Sequence, residues 1–112
     1  EKRTVLKLKP KIAPYKVAVF PLMRNKEDIV KKAKSVYDSL KLKFMTDWDD
    51  NGNVGKRYRR QDEIGTPWCV TVDYQTLDDN TVTVRDRDSM EQVRVEAEDL
   101  ERWLREKLDK YV

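Results

Sequence analysis

The segment Lys16–Leu22 (KVAVFPL) is a nearly unbroken apolar run, the pattern of a strand covered on both of its faces. Pro21 ends such a strand or sits at its margin, because it cannot donate to a sheet ladder. An amphipathic helix follows over Lys26–Leu42. Ile29, Ala33, Val36, Tyr37 and Leu40 lie on one stripe of a 3.6-residue period. Asn25 is the expected N-cap, with Glu27 and Asp28 near the positive end of the helix dipole. A second strand is expected over Lys43–Trp48. A strand, a helix and a strand in that order imply parallel pairing through a crossover, which already limits the chain to a helix-covered sheet.

The rest of the chain adds the opposite kind of pairing. Asp49-Asp50-Asn51-Gly52 is turn-rich, and a short helix over Gly55–Ile64 is stopped by Gly65-Thr66-Pro67. Trp68–Tyr74 (WCVTVDY) reads as a strand, Asp78-Asp79-Asn80 as a turn, and Thr81–Arg87 (TVTVRDR) as a returning strand with period two. A further strand over Glu91–Val95 precedes a helix with Leu100, Trp103, Leu104, Leu108 and Tyr111 on one stripe. The order predicts an α/β fold, with a mixed five-stranded sheet flanked by about three helices. At 112 residues there is room for one core. Residues 1–14, Lys-rich with Pro10 and Pro14, read as an approach segment to a domain over 15–112.

Residue usage narrows the chemistry. The chain has no histidine and one cysteine, Cys69, so no Ser-His or Cys-His pair, disulfide framework or Cys-rich zinc site can form within it. Cys69 lies in an apolar run and reads as a buried thiol. No apolar run is long enough to cross a membrane. Residues 1–43 hold 13 basic and four acidic side chains, whereas residues 44–112 hold 11 and 17. That asymmetry suits a partner carrying negative charge on one face. Asp47-Trp48-Asp49-Asp50-Asn51-Gly52 imitates the start of an EF-hand loop, but Tyr58 stands where the bidentate Glu is required. A solvated turn accounts for it.

Two segments stand out. Gly55-Lys56-Arg57-Tyr58-Arg59-Arg60-Gln61-Asp62-Glu63-Ile64-Gly65 puts four cations around an aromatic at a helix start, where free backbone N–H groups also favour phosphate. Tyr58 either stacks on a base or packs inward with Val54. Arg85-Asp86-Arg87-Asp88 closes a strand in alternating sign. It is either a ladder of internal ion pairs or a base-reading set, Arg donating to guanine or phosphate and a carboxylate accepting from the cytosine amine. Trp48, Trp68 and Trp103 read as core.

With their surroundings, these segments resemble the C-terminal anticodon-binding domain of glycyl-tRNA synthetases, class IIa aminoacyl-tRNA ligases. The similarity runs from about Val5 to Tyr111. It rests on Ile12–Leu22 (IAPYKVAVFPL), Gly55–Gly65 (GKRYRRQDEIG), Thr66–Tyr74 (TPWCVTVDY) and Thr81–Val95 (TVTVRDRDSMEQVRV). Asp50-Asn51-Gly52-Asn53-Val54 departs from a DDSGSIG-like turn, and nothing resembles the catalytic domain. The resemblance implies a module without catalytic residues, metal or cofactor of its own. Its partner would be glycine tRNA, whose second and third anticodon bases are cytosines. Lys56, Arg57, Arg59 and Arg60 would hold the RNA backbone; Glu63, Asp73, Arg85, Asp86, Arg87 and Asp88 would meet bases. The parent enzyme would use ATP and magnesium as a cytoplasmic homodimer. The same domain type in an accessory subunit of mitochondrial DNA polymerase leaves open an assembly role instead.

Overall fold

The computed structural model describes residues 15–109; the expected approach segment 1–14 and Tyr111 lie outside them. Five strands form one sheet: β1 (Val17–Pro21), β2 (Thr46–Trp48), β3 (Trp68–Val72), β4 (Thr81–Asp86) and β5 (Gln92–Glu96), in the order β2-β1-β3-β4-β5. β1 pairs in parallel with both β2 and β3, while β4 runs antiparallel to β3 and to β5. The apolar run of β1 thus fills an interior strand, and all five of its residues are buried. The predicted mixed five-stranded α/β sheet is the one observed. Four α-helices accompany it: α1 (Glu27–Leu40), α2 (Val54–Ile64), α3 (Tyr74–Asp79) and α4 (Leu100–Asp109).

Strand alternation divides the side chains between two faces. One face holds the main core, where Val17, Val19, Trp68, Val70, Val72, Val82 and Val84 meet Ile29, Ala33, Val36 and Leu40 of α1 and Leu100 and Leu104 of α4. Each fully buried Ile or Leu there contributes roughly 1.5–3 kcal/mol. The Trp68 and Trp103 rings meet edge-to-face at 6.5 Å, and Tyr37 and Trp48 at 5.8 Å, in keeping with their reading as core residues. The other face carries a smaller cluster, Ala18, Phe20 and Cys69, closed by Val54 and Tyr58 of α2. Burial pushes the Cys69 thiol far above its ordinary range. Cys69 should therefore resist iodoacetamide at pH 8 in the native protein and react readily in denaturant, which mass spectrometry would show.

Three local expectations change. Lys26, not Asn25, is the N-cap of α1, and it makes no side-chain cap bond. β2 is confined to Thr46–Trp48, because the chain first turns through Lys43 and Phe44, whose N–H groups both bond the Leu40 carbonyl. Tyr74 does not extend β3, and Asp78-Asp79-Asn80 is no simple turn. Asp73 accepts from the Thr76 N–H, and the Thr76 hydroxyl answers by accepting from the Asp73 N–H. This reciprocal box starts α3, and Asn80 ends it in a left-handed conformation (φ 60°).

Candidate nucleic-acid interface

α2 lies across β1 and its neighbours and leaves the β4–β5 part of that face uncovered. Directly paired residues share a face, so the register sets Cys69 and Arg85 together, Thr71 beside Thr83, and Thr83 beside Arg94. Gln92, Arg94 and Glu96 of β5 project from the same face and are exposed. The result is a cleft. Its floor is polar sheet and its wall is one flank of α2.

The helix begins because Asn53 accepts from the Lys56 N–H, and it stops at Gly65, whose φ of 85° suits glycine. Its cations then part company. Arg57 points inward and is 2% exposed. Its Nε and Nη2 donate to the Gly52 carbonyl at 3.2 and 2.9 Å, and its Nη1 donates to the Pro21 carbonyl. Burial lowers its pKa, against the pull of Asp49 and Asp50; an arginine stays charged regardless. Arg60 donates to buried Asp49. Gln61 bridges Asp47 and Asp49, at 2.9 and 3.3 Å, and accepts from Thr66 at 2.6 Å. The acidic turn is thus tied to the flank of α2 that faces β2. Lys56, Arg59 and Glu63 are exposed.

The opposite flank of α2 holds the floor of the cleft in place. Tyr58 packs edge-to-face on Phe20 and shares a 2.7 Å hydrogen bond with Thr71; burial raises the pKa of its phenol. The Arg85 guanidinium lies over the Tyr58 ring at 4.6 Å and donates to both carboxylate oxygens of Asp62, at 3.3 and 3.5 Å. Helical spacing brings Tyr58 and Asp62 to one side, with Arg59 and Glu63 on the adjoining rim. Of the two readings open for Tyr58, inward packing is the one observed, and the ring also supports the Arg85 guanidinium.

The remaining sequence-predicted residues sit at the two ends of the cleft. Arg87 is buried, with Nη1 donating to the Gly65 carbonyl at 2.7 Å and its other nitrogens to Asp88 at 2.9 and 3.1 Å. Asp86 is the exception: it pairs with Trp68 and so projects from the opposite sheet face, away from the cleft, where it accepts from the Asp88 and Ser89 N–H groups and closes the turn. So Arg85–Asp88 meets the last turn of α2, about 15 Å from its first turn. At the far end, burial would raise the Asp73 pKa, but donation from Arg94 and Thr76 leaves it below the ordinary carboxylate range. Asp62, Thr71, Thr83 and Arg94 were not singled out in the sequence. Only the period-two alternation through Thr83, continued by QVRV, points to that face.

An open polar sheet face walled by a basic helix defines a nucleic-acid-binding class of domain, and the comparisons place it within that class. The chain belongs to the anticodon binding domain family, whose sequence profile matches residues 16–107. It is similar to the glycine–tRNA ligases of Clostridium tetani, 50% identical over 109 residues, and Streptomyces coelicolor, 56% identical over 108. These matches cover 97% and 96% of this chain and 23% of each relative, so the chain spans about a quarter of their length. A prolyl-tRNA synthetase from Cryptosporidium parvum, solved with L-proline and AMP, superposes with a TM-score of 0.84. It is 26% identical, and the match covers 95% of this chain and 23% of that one.

Proposed function

We propose that this domain binds the anticodon loop of glycine tRNA in the cleft between α2 and the β4–β5 face, as part of a glycine–tRNA ligase. The arrangement of Arg85 carries the reading: a guanidinium held by Asp62 and backed by Tyr58 on the floor of an otherwise open polar cleft. Unpaired anticodon bases suit such a floor, because RNA is read mainly through splayed, stacked bases. Exposed Lys56 and Arg59 on the α2 wall attract the phosphates; Arg57 and Arg60, engaged by the fold, position that wall. Glu63 and Asp88 are the acceptors available to cytosine amines, Asp73 and Arg87 shape the two ends, and Asp86, on the opposite sheet face beside Trp68, holds the turn that carries Asp88. The glycine–tRNA ligase relatives support glycine tRNA as the partner. On the same reading the parent enzyme is a cytoplasmic homodimer that uses ATP and magnesium, with its chemistry outside this chain.

Titrating the domain with glycine tRNA at fixed salt tests the proposal. Replacing the two anticodon cytosines by guanines should weaken binding by about 1–3 kcal/mol for each base read. Equal affinity for both tRNAs would overturn the assignment. Pull-downs that recover protein but no RNA would favour the assembly role.

A further inference from the structure

Arg94 lies in the stretch Thr81–Val95 but is not among the expected site residues, yet it has a strongly fixed geometry on the uncovered face. Nη1 donates to Thr81 Oγ1 at 3.0 Å, to the Thr81 carbonyl at 3.3 Å and to Asp73 at 3.3 Å. Nη2 donates to Asp73 at 2.6 Å and to Thr83 Oγ1 at 3.1 Å. Both terminal nitrogens are thus committed within the guanidinium plane. The side chain still keeps 30% of its surface exposed, while Asp73 is mostly enclosed. What such a group offers a ligand is chiefly its flat, weakly hydrated face.

We propose that Arg94 is a base-stacking platform, a second fixed guanidinium on the same sheet face as Arg85, with Asp73 as its positioning residue. The proposal rests on the nucleic-acid reading of the cleft. Arg94 stands opposite Thr83, two residues along β4 from Arg85, which sets the two arginines roughly 8 Å apart along the floor. Tyr58 backs Arg85 on one face; Arg94 is steadied by in-plane hydrogen bonds instead. Sheet-based RNA binders stack bases on one face; buried Arg85 leaves little surface for this, whereas Arg94, 30% exposed, offers it. Asp73 offsets the Arg94 charge, so the contribution is stacking and not counterion release.

The distinguishing experiment is a cycle of protein and RNA changes, using the chain and a glycine-tRNA anticodon stem-loop. Arg94→Lys keeps the charge and loses the plane. It should weaken binding about tenfold and leave the slope of log affinity against log salt unchanged. Removing a base from the loop, one position at a time, should cost the unsubstituted protein a similar factor at one position, and there cost Arg94→Lys almost nothing more. Asp73→Asn can retain the cap of α3 while weakening the anchor, and should reproduce part of the binding loss with only a small fall in melting temperature, from the lost Arg94 ion pair. Additive losses at every loop position would overturn stacking, as would a salt slope shallower by one contact. If Arg94→Lys binds like the unsubstituted protein while cytosine discrimination persists, only this inference falls. If the unsubstituted protein does not discriminate, the reading of the cleft falls first.

Discussion

Asp62→Ala is expected to lower the unfolding free energy by about 3–5 kcal/mol, because it strands a buried arginine. The Asp62 and Arg85 side chains are 1% and 7% exposed, and a guanidinium cannot relieve the loss by giving up its proton. The cation–π contact with Tyr58 offsets only part of that cost, on the order of 1–2 kcal/mol. Double replacement, Asp62→Ala with Arg85→Met, should recover much of the stability, since it removes the orphaned charge along with its partner. Urea denaturation of the two single variants and the double variant measures this, and the interaction term isolates the pair. A loss below about 1 kcal/mol for Asp62→Ala would mean that solvent reaches Arg85 and that its orientation is not imposed by α2. The same variant should blunt discrimination among anticodon bases, since it frees the group whose fixed direction supplies the reading.

The elements most legible in the sequence are those whose signal is a periodicity of apolar side chains. The unbroken run of β1, the stripe of α1 and the alternation of β4 each express a burial pattern that any fold of this class must satisfy. α3 was missed because its signal is polar. Its six residues hold no apolar stripe, and the Asp73–Thr76 box that starts it lies where a strand pattern was still running. The charged residues were legible as a set and not one by one. From Arg57 to Arg87 there are five arginines and Asp62, the carboxylate that pairs with Arg85, yet whether each meets solvent or protein depends on how α2 rolls onto the sheet. Periodicity does not encode that roll. The hydrogen bonds of Arg57 to Gly52 and Pro21, and of Gln61 to Asp47 and Asp49, fix it.

That roll separates two arginines that are almost adjacent in sequence, and it predicts opposite behaviour for them. Arg57→Ala removes an enclosed side chain and leaves the Gly52 and Pro21 carbonyls without their donor. Each unsatisfied group costs about 1–3 kcal/mol, so a total loss of about 2–6 kcal/mol is expected before any packing defect. Arg59→Ala alters an exposed position and should change stability by no more than about 0.5 kcal/mol. In RNA binding the order reverses. Arg59→Ala should weaken the anticodon stem-loop uniformly across sequences, and the log–log salt slope should become shallower by about 0.7. Arg57→Ala, compared at a temperature where it remains folded, should keep the original slope, because its guanidinium never reaches a phosphate. Thermal denaturation and binding across a salt series give both readouts on the same samples. A slope that falls for Arg57→Ala and holds for Arg59→Ala would show that α2 turns its other flank to the RNA, and the cleft would have to be sought on the β2 side of the helix.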